Sequence, residues 1–152
     1  MVNWRNIIGI IGLISSLIGC DDNYVSSIPS YPVSLKLNLS GNYSTFKNNP
    51  NQFRRIEKPE YEADRIGFGG ILVYCGMNPD EYYAFDMACP YEAKKDVKIY
   101  PLTDALGRVK CEGCGSVYDV SFGFGNPLSG PSKEILKKYK TTLTQDYLYI
   151  YP

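Results

Sequence analysis

Residues 111–119 read CEGCGSVYD, two cysteines in C-x-x-C spacing followed by a Gly-Ser step. This spacing is typical of metal knuckles and of redox dithiols. A third cysteine, Cys89, lies upstream in FDMACPY at 85–91, and the whole chain contains no histidine. The missing imidazole excludes Ser-His-Asp and Cys-His catalysis and every His-ligated metal site. Any chemistry at these cysteines therefore depends on thiols.

Two hairpins are predicted around these cysteines. GILVYC at 70–75 is a compact apolar strand, GMNPDE at 76–81 has turn composition, and YYAFDMAC at 82–89 predicts the returning strand. RVKC at 108–111 and SVYDV at 116–120 predict a second hairpin, with the C-x-x-C pair in its loop. Both hairpins favour antiparallel sheets.

The remaining segments also favour strands. VSLKLNLS at 33–40 alternates apolar and polar residues, the pattern of a half-buried strand. Residues 41–66 predict a long irregular connection with one or two short strands. Residues 133–140 and 146–151 predict closing strands, and we interpret the lysines of the first as protection of a sheet edge. With 14 tyrosines, 14 glycines and 10 prolines, the chain predicts an all-β fold of stacked antiparallel sheets over 33–152.

The first twenty residues predict an export signal. Arg5 precedes a run of 13 apolar and small residues, which is too short to span a bilayer. The run ends in LIGC, which resembles a bacterial lipobox, so Cys20 is the predicted site of lipidation, 1–19 the signal peptide and 20–32 a lipidated tether. The alternative is a secretion signal or short anchor helix that happens to end in cysteine. The prediction is a lipoprotein of the bacterial cell envelope, lipid-anchored to a membrane, with its domain outside the cytoplasm.

The charge balance says little about soluble partners. The chain has 16 basic and 16 acidic side chains, which gives no electrostatic basis for binding nucleic acid. An envelope protein partner is expected, but its identity is unknown. The compartment outside the inner membrane permits disulfides.

Taken together, FDMACPY, CEGCGSVYD and the later SGPS at 129–132 resemble the Rieske iron–sulfur domain family, over about residues 67–152. The resemblance implies two loops that meet at one tip of the domain, each giving one cysteine and one histidine to a [2Fe-2S] cluster. The family's cysteines fall on Cys89 and Cys111. Its two histidine positions fall on Tyr91 and Cys114, so both imidazole ligands are replaced.

Other positions of the motif also have implied roles. Ser116 and Tyr118 fall where family members place hydroxyls that hydrogen-bond the cluster sulfurs. Gly130 and Pro131 match the turn of the third loop. Cys75 ends the first strand of its hairpin, about 23 Å along the returning strand from Cys89, so it is predicted to be a buried or free thiol and not a ligand.

Three interpretations of the tip remain open. If metal is retained, Cys89, Cys111 and Cys114 are its ligands, Tyr91 is a weak fourth, and the protein is a [2Fe-2S] electron carrier. If no metal is retained, a Cys89–Cys111 or Cys111–Cys114 disulfide stabilises the tip, and the protein is a non-enzymatic envelope module that binds a partner. Dithiol redox chemistry is the third. We favour the disulfide, because two of four family ligands are gone, and we predict no catalytic residues.

Overall fold

The computed structural model describes residues 25–152, so the predicted signal peptide and Cys20 lie outside the described residues. In this part of the chain the strands are antiparallel, and the helical content is a short 3₁₀ turn at Ser44–Phe46. The all-β fold with antiparallel sheets is confirmed. No helix among residues 25–152 is long and apolar enough to cross a membrane. The strands are β1 Val33–Asn38, β2 Phe53–Ile56, β3 Arg65–Ile66, β4 Ile71–Cys75, β5 Tyr82–Asp86, β6 Ile99–Pro101, β7 Arg108–Cys111, β8 Val117–Asp119, β9 Asn126–Ser129, β10 Lys138–Thr144 and β11 Tyr147–Tyr151.

A seven-stranded sheet has the order β2-β4-β5-β10-β11-β1-β3. The first predicted hairpin is confirmed as β4 and β5, which pair from Ile71 with Asp86 to Cys75 with Tyr82. The predicted alternation of β1 is also confirmed, since its apolar residues are buried and the residues between them are not.

The interpretation of the lysine-bearing strand as a sheet edge is wrong. β10 begins at Lys138, and residues 133–137 before it are not a strand. β10 lies inside the sheet, paired with β5 on one side and β11 on the other. The pairing with β5 joins residues more than fifty positions apart in sequence, which local sequence patterns do not reveal.

A four-stranded sheet, β6-β7-β8-β9, packs against the other. The second predicted hairpin is confirmed as β7 and β8. The strand β4 is buried on both faces, which explains its uninterrupted apolar sequence. Ile71, Val73 and Cys75 join one core cluster. Leu72 and Tyr74 join a second, which also holds residues of the small sheet.

Residues 25–32 contact the domain, although the sequence assigns them to the tether. Ile28 is buried. The Ser27 amide donates to Glu134 Oε1 at 2.7 Å, and Lys137 Nζ donates to the Pro29 carbonyl at 3.0 Å. Every buried residue of both clusters lies at or after Val33, so residues 21–152 contain the entire described core.

Candidate metal centre

Three cysteine thiols converge where the two predicted hairpins meet. Cys89 follows β5, Cys111 ends β7, and Cys114 lies in the turn before β8. Their three Sγ atoms lie within 4.8 Å of one another, and Cys89 Sγ is 3.6 Å from Cys114 Sγ. Cys89 and Cys111 are buried, whereas Cys114 is partly exposed. The site is therefore a thiol triangle with one corner open to solvent.

Backbone hydrogen bonds fix the two loops that carry the triangle. The Cys89 amide donates to the Val97 carbonyl at 3.0 Å, which holds the first loop against the segment leading into β6. In the second loop the Cys111 amide donates to the Ser116 carbonyl at 2.9 Å, and the Gly115 amide donates to the Cys111 carbonyl at 3.1 Å. Gly115 has φ of 74°, a left-handed conformation that glycine adopts without a steric cost. The C-x-x-C-G sequence thus closes a tight turn that points both thiols at Cys89.

A buried carboxylate orients the Cys89 loop. Asp86 is fully buried at the end of β5. Its Oδ1 accepts hydrogen bonds from the amides of Gly69 at 3.0 Å and Ala88 at 2.8 Å. Its Oδ2 accepts from the Phe68 amide at 2.9 Å and the Tyr139 hydroxyl at 2.7 Å. Asp86 is not predicted as a site residue from the sequence, where the only signal for it is its position three residues before Cys89.

Two hydroxyl groups contact the sulfurs. The Tyr118 hydroxyl lies 3.3 Å from Cys89 Sγ, and Ser116 Oγ lies 3.1 Å from Cys114 Sγ. Ser116 Oγ also accepts a hydrogen bond from the Ser132 amide at 3.0 Å. That bond leaves the Ser116 proton available to a Cys114 thiolate. The structure thus places both hydroxyls where they can donate to thiolate sulfur.

The third loop closes over Ser116. Gly130 has φ of 91°, and a Cβ at this position would lie 2.5 Å from Ser116 Cα. Only glycine allows this approach. Pro131 follows on the surface. The loop supports the hydroxyl that contacts Cys114, so its effect on the thiols is indirect.

Tyr91 lies at the surface, with 56% of its area exposed. The phenol that contacts a thiol is that of Tyr118, which is fully buried. Cys75 is also buried but belongs to the other core cluster. Its amide donates to the Gln52 carbonyl at 2.9 Å, and burial raises the pKa of its thiol.

The thiols of Cys111 and Cys114 do not ionise alike. Burial raises the pKa of the Cys111 thiol to about 12, and the neighbouring Cys89 thiol adds to the shift. Burial also acts to raise the pKa of Cys114, but hydrogen bonds with the side chain and backbone of Ser116 and with the Cys89 and Cys111 thiols together outweigh it, and the net pKa is lowered. Burial and the contact with Cys89 raise the pKa of Tyr118, so this phenol stays a hydrogen-bond donor at neutral pH.

The predicted disulfide is not formed in this structure, because Cys75, Cys89, Cys111 and Cys114 are all free. The 3.6 Å between Cys89 and Cys114 Sγ is well beyond the roughly 2.05 Å of an S–S bond. This pair also differs from the two pairings that the sequence suggested. The C-x-x-C turn folds Cys114 back towards Cys89, which spacing along the chain does not reveal.

The donor set fits a thiophilic metal. Thiolates about 2.3 Å from a tetrahedral ion lie about 3.8 Å from one another. The Cys89–Cys114 distance of 3.6 Å and the outer limit of 4.8 Å for all three sulfurs require only small movements to reach that spacing. A [2Fe-2S] cluster takes four protein ligands, of which the triangle supplies three. The geometry therefore suits a metal that Cys89, Cys111 and Cys114 would hold through three thiolates.

The fold and site define an all-β protein of two antiparallel sheets with a three-thiol lobe between loops. No protein-family model matches the sequence. No curated protein matches it either. Among solved structures, the chain is similar to a chain of the "complex of reduced oxygenase and oxidized ferredoxin in carbazole 1,9a-dioxygenase", with 16% sequence identity and a TM-score of 0.48. The match covers 78% of this chain and 93% of that chain.

Proposed function

We propose that this protein binds a metal centre through Cys89, Cys111 and Cys114 on a Rieske-like scaffold, and that with iron bound it is an electron carrier of the cell envelope. The observation that carries the proposal is the convergence of three free thiols within 4.8 Å, two of them buried. Thiolate-bound iron supplies one-electron transfer. The resemblance of the three loop sequences to the Rieske family supports the scaffold.

The surroundings of the thiols suit a metal better than a free dithiol. Cys111 keeps its proton at neutral pH without metal, because burial raises its pKa to about 12. A bound metal displaces that proton, as thiol ligation requires. Tyr118 and Ser116 can then donate hydrogen bonds to the thiolates of Cys89 and Cys114. Such donors raise the potential of a thiolate-bound iron.

The spacing of the sulfurs favours one tetrahedral ion, with Cys89, Cys111 and Cys114 as ligands and the fourth position open. A [2Fe-2S] cluster remains the alternative form of the same centre, supported by the order of the loop motifs. In that form Tyr91 stands at the fourth ligand position of the family, and its loop would have to turn the exposed phenol inward. Acid-labile sulfide distinguishes the two forms, because only the cluster contains it.

A second candidate function is a metal-free envelope module whose lobe binds a protein partner. The 3.6 Å between Cys89 and Cys114 Sγ supports it, since closing that gap by about 1.5 Å forms a disulfide. The envelope permits the oxidation. Cys111 would then remain a buried thiol.

Anchoring is a separate part of the proposal. LIGC at 17–20 supports lipidation of Cys20 and retention on a bacterial membrane. We expect Cys20→Ala to abolish acylation and to release the domain from the membrane fraction. Wild-type fractionation of the Cys20→Ala protein would contradict lipid anchoring and leave the metal proposal unaffected.

The metal proposal is tested by purifying residues 21–152 without oxygen and measuring iron, zinc, acid-labile sulfide and free thiols. We expect near-stoichiometric metal, lost in Cys89→Ser, Cys111→Ser and Cys114→Ser. The matched control is Cys75→Ala, a buried thiol in the other cluster, which should keep the metal. Two free thiols without metal would favour the disulfide module. Four free thiols without metal after reconstitution would contradict both functions.

A further inference from the structure

Two phenylalanines protrude from the loop between β8 and β9. Phe122 is 70% exposed and Phe124 is 64% exposed. The loop itself is anchored, because the Gly123 amide donates to the Val120 carbonyl at 3.0 Å and the Leu136 amide donates to the Gly125 carbonyl at 3.0 Å. Gly123 and Gly125 both have φ of 72°. A fixed turn that holds two aromatic rings in water suggests a surface that something apolar covers.

Lysines and tyrosines surround this loop. Gly123 packs against the ring of Tyr83, and Lys138 Nζ lies 5.3 Å from the centroid of the same ring. Further along β10, Lys140 Nζ lies 6.0 Å from the ring centroid of Tyr151. These four side chains share the lining of an open depression of about 440 Å³. We call Phe122, Phe124, Tyr83, Lys138, Lys140 and Tyr151 the aromatic–lysine face.

The charge of this region is positive. Residues 133–140, KEILKKYK, contain four lysines and one glutamate. That glutamate, Glu134, accepts hydrogen bonds from Ser26 and Ser27, and Glu81 accepts one from the Tyr83 hydroxyl. The lining of the depression includes two lysines and no carboxylate. The complementary partner is therefore anionic.

The N-terminal segment brings this face close to the predicted anchor. Ser27 and Pro29 are bound to Glu134 and Lys137, immediately before β10. Only four residues separate Cys20 from Val25, where the described chain begins, so the two residues are at most about 18 Å apart. A lipid on Cys20 would hold Val25 within that distance of the bilayer, and the hydrogen bonds of Ser27 and Pro29 tie the segment just before β10 to the same stretch of chain.

We propose that the aromatic–lysine face rests on an anionic phospholipid membrane. The phenylalanine rings enter the boundary between headgroups and acyl chains, the tyrosines lie at the headgroup level, and the lysine ammonium groups contact lipid phosphates. This placement also orients the thiols. Ser116 precedes β8 and Phe122 follows it, so the thiol lobe and the aromatic–lysine face flank opposite ends of this strand.

The test uses residues 21–152. Because these residues lack Cys20, any membrane binding they show is independent of lipid anchoring. Only the argument from the distance to the anchor rests on the proposed lipidation. The probe is sedimentation with vesicles of phosphatidylcholine alone or with 30% phosphatidylglycerol. We expect binding to the anionic vesicles, weakened at least tenfold by Lys138→Glu with Lys140→Glu and at least tenfold by Phe122→Ser with Phe124→Ser. The matched control is Lys58→Glu with Lys95→Glu, which makes the same charge change at exposed positions outside the face and should bind as wild type does.

A fluorescent variant reports on contact by the loop itself. The only tryptophan is Trp4, so Phe124→Trp gives residues 21–152 a single reporter. We expect a blue shift with anionic vesicles and none for Leu106→Trp, an exposed position on another loop. Any one of three results would overturn the proposal. These are no binding to anionic vesicles, an equal loss of vesicle binding in the two double-lysine variants, or no blue shift of the Phe124→Trp fluorescence. Equal affinity for soluble polyglutamate would also overturn it, because the face would then recognise an acidic polymer.

Discussion

Removing the buried carboxylate of Asp86 should destabilise the fold and loosen the Cys89 loop. In Asp86→Ala three amides, those of Phe68, Gly69 and Ala88, and one phenol lose their acceptor. Each buried donor left without a partner costs about 1–3 kcal/mol. Because water can reach some of them after the side chain shrinks, we expect a loss of about 3–5 kcal/mol in the free energy of unfolding. That is a large share of the roughly 5–15 kcal/mol that stabilises a domain.

Urea unfolding of residues 21–152 measures this loss. The matched control is Asp64→Ala, since Asp64 also accepts from two backbone amides, those of Glu60 and Tyr61, but is not buried. For Asp64→Ala we expect a loss of about 1 kcal/mol in the free energy of unfolding. Asp86→Asn keeps one acceptor oxygen and should fall between the two. A loss below about 1 kcal/mol in Asp86→Ala, or a loss equal to that of Asp64→Ala, would refute the role given to this carboxylate.

Three further predictions concern the thiol lobe. In the metal-free reduced protein, iodoacetamide near pH 7 should modify Cys114 first, because it is partly exposed and its pKa is lowered; mass spectrometry showing faster reaction at Cys111 would contradict this. Burial raises the pKa of Cys111 from its usual 9.0 to about 12. The protonated Cys111 thiol therefore contributes to the stability of the metal-free fold fully below pH 9, and this contribution is lost as pH rises from 9 towards 12. The free energy of unfolding of Cys111→Ala should therefore fall less over this pH interval than that of wild type. The same pH dependence of unfolding in both proteins would refute the raised pKa of Cys111. Gly130→Ala should lower the free energy of unfolding by about 1–3 kcal/mol, because φ at this position is 91° and the added Cβ would meet Ser116. The matched Gly115→Ala, also at positive φ but with open space around it, should lower it less. Equal losses in urea unfolding would show that contact with Ser116 is unimportant.

The local parts of the fold could be predicted from sequence, and the long-range parts could not. β4 and β5 are adjacent in sequence, with a turn between them, so the pattern alone predicts their pairing. The insertion of β10 beside β5 depends on contacts between distant residues. An edge was therefore predicted where the structure has an interior strand.

The site shows the same division. The loop motifs single out Cys89, Cys111 and Cys114, and the structure brings them together. The sequence could not indicate that Cys114 Sγ comes within 3.6 Å of Cys89 Sγ, because the turn conformation at Gly115 decides the direction of that thiol. Asp86 was missed for a related reason. A carboxylate at a strand end is usually solvated, but here it is buried and accepts a hydrogen bond from Tyr139 of the distant strand β10.

Whether the thiol triangle binds metal is decided by cobalt titration of reduced, metal-free residues 21–152. Three thiolates on tetrahedral Co²⁺ should give intense visible absorption and a sulfur-to-metal charge-transfer band at one equivalent. We expect both bands in wild type and in Cys75→Ala. Both should be lost or greatly weakened in Cys89→Ser, Cys111→Ser and Cys114→Ser. Weak octahedral spectra in wild type, or spectra unchanged by the three serine substitutions, would contradict metal binding by the triangle.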